Sequence, residues 1–103
     1  MAEKKGFVFI TIFQLPQNIF KIKALNFAPD FVLISAGFDS RKNDLLGCFS
    51  IDDYGYRNIT KITSEIANLS AGGRIISILE GGYNPSGVAS SVSAHIEELI
   101  LTI

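Results

Sequence analysis

Three apolar runs alternate with three amphipathic stretches along the chain. Residues 7–13, Phe-Val-Phe-Ile-Thr-Ile-Phe, are aromatic and β-branched and predict a strand. They lack polar alternation, which suggests burial on both faces. Pro16 suits the first turn of a helix, and Ile19, Ile22 and Leu25 form a short stripe ending near Asn26. Residues 31–35 predict a second strand, opened by Pro29-Asp30 and broken at Gly37. Residues 40–50 read as mostly polar and irregular.

Ser50-Ile-Asp-Asp53 has capping-box spacing, and Tyr56, Ile59, Ile62, Ile66 and Leu69 then recur at helical steps. Gly72-Gly73 should stop that helix. Residues 74–79, Arg-Ile-Ile-Ser-Ile-Leu, predict a third strand ending at Glu80-Gly81-Gly82. Asn84-Pro85-Ser86 reads as a cap and first turn, with Val88, Val92, Ile96 and Leu99 as the stripe of a last helix. This order implies βαβ units, a parallel sheet and right-handed crossovers. The fold class expected is α/β, a partial doubly wound sheet of about three strands with helices on both sides. It forms one unit over residues 1–103.

Composition narrows the function. A net charge of −1 excludes a polycationic nucleic-acid binder. No apolar run reaches the length of a membrane helix. The charged start before residues 7–13 has a signal-like order, but no small-residue cleavage site follows it. Cys48 is the sole cysteine, which excludes an intrachain disulfide and any multi-cysteine zinc site. A reducing cytoplasmic setting is expected, with Cys48 as a buried structural thiol.

In open parallel sheets, ligands bind beyond the carboxyl ends of the strands. Two segments leave such ends through glycine, Ser35-Ala-Gly-Phe-Asp39 and Glu80-Gly-Gly-Tyr-Asn84. One crossover separates them, so Asp39 and Tyr83 should approach one another on one edge. On spacing alone, Asp39 is a turn former, Tyr83 a partly buried ring, and Gly81-Gly82 a tight turn. The glycines could instead cradle a phosphate at a helix start. The segment fits neither G-x-G-x-x-G nor a P-loop, however. His95 reads as a structural or surface histidine, Asp52-Asp53 as a helix start, and Arg41-Lys42 as a solvated loop pair.

The stretch from Phe27 through Asp30 to Asp39, with Asp44-Leu-Leu-Gly-Cys48 after it, resembles the zinc-dependent deacetylases. These are the histone deacetylases and acetylpolyamine amidohydrolases. Tyr54-Gly-Tyr-Arg-Asn-Ile-Thr60 continues the likeness. Residues 73–84, ending in Glu-Gly-Gly-Tyr-Asn, are similar to the family's second signature in its class II and bacterial branch. The match covers about residues 18–101. It implies an arginase–deacetylase-like three-layer fold, and Asp39 at the position of the zinc-ligand aspartate. It implies Tyr83 as the phenol that polarises the acyl carbonyl, and Gly81 and Gly82 lining the acyl-lysine channel.

The chain departs from that pattern. The family's Asp-x-His ligands and tandem His pair have no counterpart here, and Asp44-Leu45-Leu46 replaces the usual Asp-Pro-Leu. A catalytic zinc takes three protein ligands, and the resemblance supplies one. The chain is therefore expected to be the C-terminal third or so of a deacetylase domain. Alone it should be inactive and bind no zinc. Acyl-lysine or polyamine substrates would belong only to complete relatives. A different reading is a self-associating interaction module without catalysis. In either case low charge and the apolar residues 7–13 suggest a homo-oligomer, with neither nucleic acid nor membrane as partner.

Overall fold

The computed structural model describes residues 7–11, 17–45 and 51–102. Strand β1 (Phe7–Thr11) leads to helix α1 (Gln17–Phe27), strand β2 (Phe31–Ala36) and a 3-10 turn at Phe38–Ser40. Helix α2 (Asp53–Ser70), strand β3 (Ile75–Leu79) and helix α3 (Pro85–Leu101) complete the order. The sheet is wholly parallel, in the order β1-β2-β3. Ile12, Phe13, Pro16, Cys48 and Ser50, each read above as part of an element or a role, lie outside the described residues.

Local chemistry sets the boundaries. Helix α1 ends where Ala28 turns left-handed at φ 55°, and Pro29 cannot continue a helix. Helix α2 begins at Asp52, whose carboxylate accepts the Gly55 N–H at 2.8 Å. The cap is thus Asp52, because helical geometry begins at Asp53. Gly72 and Gly73, at φ 60° and 79°, end the helix as expected. Asn84 caps α3, with Pro85 opening it.

Burial alternates along β2. Val32, Ile34 and Ala36 are buried and join Ala24 of α1 and Tyr56, Ile66 and Ala67 of α2 in one cluster. Ser77, in register with Ile34, meets His95 of α3, so α3 lies on that same side of the sheet, while Leu79 on that face of β3 stays 64% exposed. On the other face Ile76 and Ile78, in register with Leu33 and Ser35, remain 47% and 49% exposed. The expected cover on both faces is therefore met on one face by the described residues. Strand order follows chain order here, and crossovers of one hand then put successive helices on one side. The described residues supply the sheet and one helical layer.

The predicted apolar stripes are buried in part, with Tyr56 and Ile66 in the core and Ile62, Val88 and Val92 packed against it, and the helices bury small and polar positions beside them. Leu69 is 68% exposed and Ile96 47%, while Thr60, Thr63, Ser64, Ser91, Ala94 and His95 are buried. Small residues let helices approach closely. Thr60 and Thr63 can be buried because their hydroxyls donate to Tyr56 and Ile59 carbonyls one turn back.

His95 joins three elements. The Thr60 hydroxyl donates to the Tyr56 carbonyl at 2.7 Å, so its oxygen accepts from His95 Nδ1, also at 2.7 Å. That assigns the proton to Nδ1 and leaves Nε2 to accept from the Ser77 hydroxyl at 2.8 Å. Burial pushes the imidazole below its ordinary value of 6.5. The unfolded chain therefore takes up a proton that the folded chain resists. Stability from this group is fully present above pH 6.5 and is lost as pH falls from there towards the folded value. The thermal unfolding midpoint should drop between about pH 7.5 and pH 5, with a shallower slope in His95→Leu. Equal slopes in the two proteins would remove His95 as the cause.

Candidate functional site

Adjacent parallel strands β2 and β3 end side by side, and hydrogen bonds continue the pairing beyond them. Glu80 N–H donates to the Ala36 carbonyl at 3.0 Å, and Phe38 N–H donates to the Gly81 carbonyl at 2.7 Å. Asp39 follows the first exit and Tyr83 the second, so both backbones emerge on the carboxyl edge of the sheet.

Phe38 anchors the Asp39 turn. It is buried, with its ring centroid 5.2 Å from that of Tyr56 and 5.9 Å, edge-on, from that of His95. A small cavity of about 10 Å³ lies beneath it, lined by Ile34, Tyr56, Thr60 and His95 among others. Tyr56 is buried there, and the loss of water raises its hydroxyl well above the usual tyrosine range. The negative charge of Asp39 adds to that shift.

The glycines matter through space. A Cβ on Gly37 would come within 2.8 Å of Asp39 Oδ1, and one on Gly81 would meet the same carboxylate at 3.1–3.2 Å. Both therefore leave the Asp39 carboxylate room. Gly82 sits at φ 149°, and a Cβ there would lie 2.6 Å from Val88 Cγ2. Gly81 thus faces Asp39, whereas Gly82 packs on α3 and Phe38. Tyr83 is 47% exposed at the edge.

Arg41 corrects an expectation. It is no solvated loop residue, since its side chain is only 14% exposed. Its Nε donates to Ser91 Oγ at 2.8 Å, and an Nη lies 3.4 Å from Asp53 Oδ1. The Ser90 and Ser91 hydroxyls also donate to Asp53. The Ser90 hydrogen bond, with Ser91 and Arg41 assisting, holds the Asp53 carboxyl below its usual value against a smaller effect of burial. Asp53 opens α2 as expected, and it also ties the loop after Asp39 to α3. Sequence reading missed this because the partners are 12 and 50 residues away. Lys42, beside it, is exposed.

Zinc does not fit this edge on the described residues alone. Asp39 is one oxygen donor, and His95 has both ring nitrogens engaged by Thr60 and Ser77. Among the described residues, no group of three or more His, Cys, Asp or Glu could hold a metal ion. No described helix is long and apolar enough to cross a membrane.

Removing Arg41 leaves Ser91 and Asp53 short of a partner. Arg41→Met should therefore destabilise the fold by about 1–3 kcal/mol, and Lys42→Met by no more than about 0.5 kcal/mol. Chemical denaturation of the two variants checks this, and equal midpoints would contradict the anchoring role.

Residues 5–99 match the family described as histone deacetylase domain. Histone deacetylase 15 of Arabidopsis thaliana is 42% identical over 74 residues, which span 72% of this chain and 13% of that protein. Polyamine deacetylase HDAC10 of Mus musculus is 36% identical over 77 residues, 75% of this chain and 11% of that protein. The crystal structure of the HDA15 HD domain superposes with a TM-score of 0.69 at 39% identity, covering 80% of this chain and 22% of that one. The chain thus spans a small part of the relatives that it matches, and within that part it shares their arginase–deacetylase fold. With the parallel sheet, its two glycine exits and a match over nearly the whole length, the chain belongs to the histone deacetylase domain family.

Proposed function

We propose that this chain carries one edge of a zinc-dependent deacetylase site and that it is inactive alone. Asp39 is one metal ligand and Tyr83 the phenol facing the acyl group, with Gly81 and Gly82 beside the acyl-lysine channel. The remaining ligands and the general base come from residues outside those described. The substrates of the complete protein are amides of acetyl-lysine or acetylated polyamines. The observation that carries this reading is the hydrogen bond from Phe38 N–H to the Gly81 carbonyl, which fixes the Asp39 and Tyr83 exits to each other.

The chemistry available to these residues is limited. A Tyr83 hydroxyl aimed at an amide oxygen stabilises charge as that oxygen becomes an oxyanion. It does so only where a nucleophile is supplied to the carbonyl carbon. His95 is an unsuitable base, being buried and hydrogen-bonded at both nitrogens. Hydrolysis of a fluorogenic acetyl-lysine peptide, with zinc added, should remain at background for the purified chain. Turnover abolished by both Asp39→Ala and Tyr83→Phe would overturn the claim of inactivity. Mixed with a polypeptide carrying the rest of a deacetylase domain, the chain should restore turnover. Tyr83→Phe should then lower it by about 10²–10³-fold.

A second reading, self-association, is favoured by the bare sheet face. Ile76 and Ile78 lie uncovered there, on an edge strand with no charged residue. The chain should run as a dimer or larger species in light scattering at high concentration, and Ile76→Lys with Ile78→Lys should reduce its mass. A monodisperse monomer would end this reading.

A further inference from the structure

We propose that Asp44 is a positioning residue for Tyr83, holding the backbone from which the phenol projects. The inference rests on the reading of Tyr83 given above. Asp44 Oδ1 accepts the Tyr83 N–H at 2.8 Å, across 39 residues of sequence. A carboxylate acceptor makes this a charge-assisted hydrogen bond, of the stronger kind.

The neighbours on each side make the contact a clamp. Asn43 holds φ 65°, and its carbonyl accepts from Asn84 Nδ2 at 2.9 Å. The other end of the Asn84 amide accepts Gly87 N–H at 3.3 Å and the Ser86 hydroxyl at 3.1 Å, capping α3. Asn84 is thereby fixed from both ends. The turn bearing Asp44 is itself held, because Asp44 N–H donates to the Arg41 carbonyl at 3.2 Å and Arg41 is anchored on Ser91 and Asp53.

The segment from Glu80 to Asn84 needs such support. It lies in neither strand nor helix, and Gly81-Gly82 gives it wide conformational freedom. A donor that meets a developing oxyanion has to be held to within about 0.5 Å. The clamp acts on the Tyr83 amide, so it fixes where the residue starts and leaves the ring exposed for an acyl group.

The test is NMR of the isotopically labelled chain. A scalar coupling through the hydrogen bond, from Tyr83 nitrogen to the Asp44 carboxyl carbon, is expected in the native protein. The Tyr83 amide should exchange with solvent about tenfold faster in Asp44→Ala. Asp44→Asn, which keeps an acceptor oxygen, should restore most of the protection. The Phe38 amide, bonded to Gly81, should be unchanged in both variants. Absence of the coupling in the native chain overturns the proposal, as does unchanged Tyr83 exchange in a folded Asp44→Ala. Should Asp44→Ala fail to fold, the coupling in the native and Asp44→Asn proteins decides. None of these readouts uses turnover. A coupling present in a chain whose Tyr83→Phe variant is fully active on complementation would overturn the reading of Tyr83 and leave the clamp standing.

Discussion

Parallel pairing between β2 and β3 runs on past the last residue of each strand, through Glu80 to Ala36 and Phe38 to Gly81. Everything at the candidate site hangs from that short extension. It brings two segments some forty residues apart in sequence onto one edge and sets the distance between their backbones. The glycines there leave the Asp39 carboxylate its place, since a side chain on Gly37 or Gly81 would push against it. Phe38 between them is driven into the core, so the hydrophobic effect seats the turn that the hydrogen bond aligns.

Polar groups inside the helical layer make the second constraint. His95 reaches Thr60 on α2 and Ser77 on β3, and Arg41 reaches Asp53 on α2 and Ser91 on α3. A buried polar group is costly when unpaired, so each of these contacts penalises any other packing of α3 against α2. The two networks grip α3 at different points along its length. That orientation carries the start of α3, and hence Tyr83, relative to the Asp39 turn.

The uncovered sheet face has its origin in topology. Strands laid down in chain order, with crossovers of one hand, collect their helices on one side. Leu33, Ile76 and Ile78 on the other side are apolar without a described covering layer. This agrees with the small share of each relative that the chain spans. It also explains why strands with apolar residues on both faces suggested two helical layers.

Strand and helix positions were legible in the sequence because they depend on local chemistry. Runs such as Ile-Ile-Ser-Ile-Leu favour extended backbone, Gly72-Gly73 turns left-handed, and Asn84-Pro85 opens a helix wherever it stands. The glycine exits were legible too, and with them the family, because Asp39 and Glu80-Gly-Gly-Tyr83 sit in contiguous motifs. Which helix face is buried was legible in part. Apolar periodicity found Tyr56, Ile66, Val88 and Val92, but it also pointed to the exposed Leu69 and Ile96 and passed over the buried Thr60, Ser64, Ser91 and Ala94. Close helix approach rewards small side chains; the Thr60 hydroxyl donates to the Tyr56 carbonyl one turn back, and the Ser91 hydroxyl donates to Asp53. The roles of Arg41, Asp44 and His95 were likewise set by tertiary structure alone. Each depends on partners 12 to 50 residues distant, and a side chain's spacing in sequence carries no information about a partner that only folding brings near.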